Sequence, residues 1–218
     1  MTKGTVLRPH RAVDPQHPGT GRRAELLALA ATLFAERGFV ATTVRDIADA
    51  AGILSGSLYH HFDSKDSMVD EILRGFLDDL FGDYRKIMAA GLDPGDTLRA
   101  LVVASFECID RRHAEVAIFL NESMYLAQFE RFGYLADRNA EFRALWTGVL
   151  ADGVRTGDFR AGLDVEVVYR FIRDTVWVAV RWYRSGGSLS ARAVADEYLA
   201  ILLDGIAGRG QSAPPLDR

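Results

Sequence analysis

Apolar residues recur along this chain at spacings of three and four, the period of helices that bury one face. Starting at Arg22, residues Leu26, Leu29, Ala30, Leu33 and Phe34 form one such stripe, and Gly38 follows Arg37 as a C-cap. The next stripe, Val44, Ile47, Ala48 and Ala51, is short; Thr42 or Thr43 stands before it as an N-cap and Gly52 ends it. A second short helix over about 54–61 follows at once. Asp63 or Ser64 then caps a longer helix with Met68, Ile72, Leu73, Phe76, Leu80 and Ile87 on one side, ending at the break over residues 91–95. Further helical patterns cover roughly 96–111, 114–127, 134–156, 165–184 and 190–206, divided by Gly157, Gly162 and the segment 185–188. No pair of alternating strand patterns interrupts them. The predicted fold is all-α, with a flexible arm over 1–20, a small three-helix unit over 21–66, a larger helical domain over 67–208 and a disordered tail over 209–218.

A chain of 218 residues, 49% of them hydrophobic, can bury a substantial core. Its net charge of -4 does not announce a nucleic-acid partner. The charge is uneven, however: residues 1–66 carry eight Lys/Arg against seven Asp/Glu, and residues 67–218 carry 18 against 23. A single cysteine, Cys108, excludes an internal disulfide and a thiolate zinc site. With no apolar run of membrane length and no apolar leader, the expectation is a cytoplasmic protein without membrane contact.

The segment from Thr42 to Phe62 carries the most specific chemistry. Two short helices joined by a glycine turn, with small Ala48 and Ala51 at the crossing, suit a helix-turn-helix. Packing leaves Ser55, Gly56, Ser57, Tyr59 and His60 over, residue types suited to phosphates and base edges, with Gly56 allowing close approach. Thr42, Thr43, Arg45 and Lys65 stand where helix starts and cations would grip phosphates.

Residues 35–39 (AERGF), 42–48 (TTVRDIA), 56–62 (GSLYHHF) and Ser64-Lys65 resemble the DNA-binding domain of the TetR family of bacterial repressors. That resemblance adds Leu58 to the DNA-binding set. It implies a helix-turn-helix domain, a C-terminal helical domain that binds an effector and dimerises through its last two long helices, palindromic operator DNA as partner, and release by a small molecule. Residues 53–62, 168–178 and 180–184 carry a closer likeness to family members that control the breakdown of sterol rings. That likeness implies a coenzyme A thioester of a sterol-ring remnant as effector and no resident cofactor. Another lipid or aromatic acyl-CoA, or no effector at all, stays open as an alternative.

Arg170, Arg173 and Trp177 fall on the helical pattern over 165–184, with Arg173 and Trp177 on one face. A cation beside a flat ring suits a ligand that carries both phosphate and rings. The same two residues equally suit an ion pair across a dimer interface and a core position. Tyr125, Phe129 and Trp146 are further candidates to line a pocket or fill the core.

Other features point nowhere. Residues 19–24 (GTGRRA) match the letters of a dinucleotide fingerprint without the strand it requires. Adjacent His60 and His61 diverge by about 100° on a helix and have no partner ligands. Lys3, Arg8, Arg11, Arg22 and Arg23 suit a minor-groove arm or a solvated tail. No nucleophile, base and orienting group recur at a catalytic spacing, so an enzyme is not expected.

Overall fold

The structure, a computed structural model, describes residues 18–204, and among them there is no β-strand. α1 (Pro18–Arg37), α2 (Val44–Ala50) and α3 (Ser55–Leu58) form the small N-terminal unit; α4 (Lys65–Ala89) leads out of it into α5 (Pro94–Arg111), α6 (His113–Leu126), α7 (Tyr134–Thr156), α8 (Val165–Val178) and α9 (Ala191–Asp204). Short 3-10 turns follow α6 at Glu130–Phe132 and α8 at Ala179–Arg181.

Boundaries differ from expectation in three places. α1 starts at Pro18, inside the stretch expected to be an arm, because proline suits the first turn of a helix, where its missing N–H is no loss. The second short helix keeps a regular form only over Ser55–Leu58; the chain to Phe62 continues in turns, with His60 and His61 donating to the carbonyls of Ser57 and Leu58. α8 stops at Val178 instead of reaching 184, its end tightened into a 3-10 turn, and Tyr183 beyond it donates to Asp110 of α5 at 2.7 Å. Lys3, Arg8, Arg11 and the expected C-terminal tail lie outside the described residues.

Caps explain why the short helices stand. Thr43 accepts from the Asp46 N–H at 3.1 Å while the Asp46 carboxylate accepts from the Thr43 N–H at 2.8 Å, a reciprocal box that also holds the Asp46 carboxyl below its ordinary range. Ser64 and Ser67 form the equivalent box at the start of α4. At 25 residues α4 is about 37 Å long, enough to run from the small unit through the larger domain.

One apolar core runs the length of the molecule, from Leu26, Phe34, Ile47 and Leu58 past Phe76 and Tyr84 to Trp146, Ile172 and Leu199. α5 is its centre and packs on α4, α7, α8 and α9, while α1 rests on both α4 and α6. Inside it Tyr84 hydrogen-bonds Ser105 at 2.6 Å, and the Ser105 hydroxyl donates to the Leu101 carbonyl. Cys108 is buried as well, which pushes its thiol up to about 12 and leaves it unreactive at neutral pH. Where α7 meets the loop after it, a Cβ on Gly153 would run into the Phe159 ring. Gly153→Ala is therefore expected to cost about 1–3 kcal/mol through overpacking, read as a lower midpoint in thermal or urea unfolding.

Candidate nucleic-acid interface and effector pocket

α2 and α3 cross with Ile47, Ala48 and Leu58 turned inward, and Gly52 makes the turn between them at φ +66. Opposite that packed side, Thr43, Arg45, Gly56, Tyr59 and His60 are exposed, with Ser55 and Ser57 half-buried beside them. Nothing stands within 4 Å of where a Gly56 side chain would be, so the backbone there is open to a close approach. Tyr59 is 57% exposed although it is large and aromatic, and Leu54 is 80% exposed at the start of α3. Leu54 was not among the expected contacts; an apolar side chain stranded on this open face suits a thymine methyl.

The frame behind this face is tied by cations. The Arg23 guanidinium forks onto Glu71 of α4 and lies 4.5 Å from the centre of the Phe62 ring, while Arg22 donates to the Ala51 carbonyl at the end of α2. Arg23 thus ties α1 to α4 and Arg22 ties α1 to the end of α2, so both are engaged within the fold. Two expected contacts are corrected by burial, and a third, Lys65, is engaged with the fold. Thr42 is fully buried, its hydroxyl donating to the carbonyls of Gly38 and Leu33. Leu58 is a core residue. Lys65 donates to the carbonyls of Phe39 and Thr42 at 2.7 and 2.8 Å, satisfying acceptors left open after α1.

In the larger domain α4, α6, α7 and α8 enclose a cavity of about 420 Å³. Its walls are aromatic: Phe76 meets Trp177 edge-on at 6.4 Å and Phe119 at 5.8 Å, and Phe142 meets Trp177 at 5.9 Å. Three guanidinium groups share its lining. Arg173 pairs with Asp174 at 2.7 Å beside the Tyr169 ring, Arg143 forks onto Glu166 at 2.7 and 3.0 Å, and Arg138 pairs with Glu141 at 2.8 Å. Each of these pairs is at least partly exposed, so its carboxylate can exchange for another anion at modest cost.

Of the six residues singled out for a ligand, Arg173 and Trp177 line this cavity. The other four do not. Trp146 is buried behind Phe142 as core, with its indole N–H unpartnered, and Arg170 is exposed outside the lining. Tyr125 and Phe129 stack edge-on against each other at 5.3 Å, both partly exposed, away from the cavity. Arg138, Arg143 and Tyr169 were missed.

Residues 26–72 match the family model described as bacterial regulatory proteins, tetR family, and residues 91–206 match the tetracyclin repressor-like C-terminal domain. The chain belongs to the TetR family. Among its relatives, the HTH-type transcriptional repressor KstR2 of Rhodococcus jostii is 66% identical over 86% of this chain and 92% of its own. KstR2 of Mycobacterium tuberculosis is 59% identical over 87% and 94%. A solved structure of the ketosteroid transcriptional regulator KstR2 of Mycobacterium tuberculosis superposes with a TM-score of 0.83, covering 86% of this chain and 96% of that one. This TetR-family chain is therefore a transcriptional repressor rather than an enzyme. Among the described residues no helix is long and apolar enough to cross a membrane.

The TetR-family chain also leaves an apolar strip uncovered on its last two helices. Val167, Phe171 and Val178 on α8, Trp182 just after it and Ile201 on α9 are exposed, Phe171 by 68%.

Proposed function

We propose that this repressor binds a palindromic operator as a cytoplasmic homodimer and lets go when a coenzyme A thioester of a sterol-ring remnant enters the cavity beside Trp177. The observation that carries the reading is the pairing of aromatic walls with three arginines around one cavity. Fused apolar rings gain from burial against such walls, and phosphates gain from guanidinium forks. The cavity is large enough for the ring fragment and too small for a whole thioester, so the nucleotide end would lie outward, among Arg138, Arg143 and Arg173. The ketosteroid label of a relative this similar supports a ring-bearing effector. Release needs only that the ligand prefer the conformation that fits DNA poorly.

Dimerisation is supported by the apolar strip on α8 and α9, since an exposed patch of this kind marks an interface. Phe171→Glu is expected to shift the protein from dimer to monomer in sedimentation velocity and to weaken DNA binding, because a lone protomer reaches only one half-site. A variant that stays dimeric contradicts this interface.

Binding is tested without DNA by titrating the fluorescence of the purified protein with free coenzyme A and with its thioesters of sterol-ring fragments. Saturable quenching by a ring thioester, absent with free coenzyme A, supports the assignment. Equal responses to ring thioesters, short-chain thioesters and free coenzyme A overturn it.

A further inference from the structure

We propose that Glu122 of α6 is the positioning residue through which the cavity and the helix-turn-helix sense each other. Phe119, also on α6, forms part of the cavity wall and packs on Phe76. Glu122 stands one turn further along the same face. Its Oε1 reaches out of the larger domain to the turn after α1, where it accepts the Phe39 N–H at 3.2 Å. Among the described residues this is the only hydrogen bond between α6 and residues 18–62.

The turn it grips is placed where a small displacement matters. Gly38 holds φ +85, and Glu122 Oε1 lies 3.2 Å from where its Cβ would stand, so the carboxylate sits close against the backbone. From the other side the Lys65 ammonium donates to the carbonyls of Phe39 and Thr42 and rests 4.3 Å from the centre of the Phe39 ring. Thr42 leads directly into Thr43, the cap of α2. One carboxylate from the cavity's helix and one ammonium from α4 thus hold the turn that sets where α2 and α3 lie. A ligand that presses on Phe119 moves the carboxylate one turn away, and hydrogen bonds to a charged acceptor are strong enough to carry the backbone with them.

The inference rests on the effector reading for the direction of the signal only. Coupling is reciprocal, so DNA on the helix-turn-helix must be felt along α6 whatever the effector is. The test is amide hydrogen exchange of the full-length protein, with and without a duplex from upstream of its own gene, in wild type, Glu122→Ala and Glu122→Gln. In wild type, DNA is expected to change exchange over residues 113–126 at least threefold. Glu122→Ala is expected to lose that change while DNA still protects residues 42–62, which separates lost coupling from lost binding. Glu122→Gln keeps a carbonyl acceptor and is expected to retain the change. A wild-type α6 indifferent to DNA, or a Glu122→Ala α6 that responds as wild type does, overturns the proposal. A wild type that binds no thioester would overturn the effector assignment and leave this comparison readable.

Discussion

Replacing Tyr59 by alanine is expected to weaken operator binding by about 2–6 kcal/mol per dimer, since each protomer loses a groove contact of about 1–3 kcal/mol. At 1.4 kcal/mol per decade that is a drop of about thirtyfold or more, measured by anisotropy at one stated salt concentration. The same variant is expected to unfold within about 0.5 kcal/mol of wild type, because Tyr59 is 57% exposed and outside the core. The pair of outcomes is diagnostic: lost affinity with intact stability places Tyr59 on the DNA. A Tyr59→Ala dimer that binds within threefold of wild type would remove Tyr59 from the recognition surface.

Arg173→Met carries the second large effect. Its guanidinium is about half exposed, pairs with neighbouring Asp174, and lies on the cavity lining with Trp177. If it meets a phosphate of the effector, its loss removes a hydrogen bond to a charged group worth about 1.5–3 kcal/mol. The thioester concentration that releases half of the DNA should then rise about ten- to hundredfold, with DNA affinity in the absence of ligand unchanged because Arg173 sits outside the helix-turn-helix. Unaltered release by the variant would take Arg173 out of the effector site and return it to the role of a surface ion pair.

The helices were legible because each buries one face and so repeats its apolar residues at helical spacing, and the helix-turn-helix was legible because its small residues, caps and glycine turn are contiguous in sequence. Side-chain direction was not. Leu58 stands between Ser57 and Tyr59 in a helix of four residues, where nothing local says which side chain turns inward. Lys65 has the look of a phosphate contact until the fold brings it against carbonyls 23 and 26 residues earlier in the chain. The two arginines at the bottom of α1 were equally opaque, since Glu71 and Ala51 reach them only through tertiary packing.

The cavity was half legible for a related reason. Arg173 and Trp177 sit four apart on one helix, a spacing sequence can expose. Arg138, Arg143 and Phe119 join them from two other helices, and no period within one segment announces that meeting. Tyr125 and Phe129 satisfy the same four-residue rule and find only each other.

Repression by DNA binding with release by a ring-bearing thioester is tested most directly by an anisotropy titration of the dimer on DNA from its own upstream region, adding free coenzyme A and then its thioesters with sterol-ring fragments. The predicted result is a complex that free coenzyme A leaves intact and a ring thioester dissolves. A complex that survives every thioester at saturating concentration would contradict it.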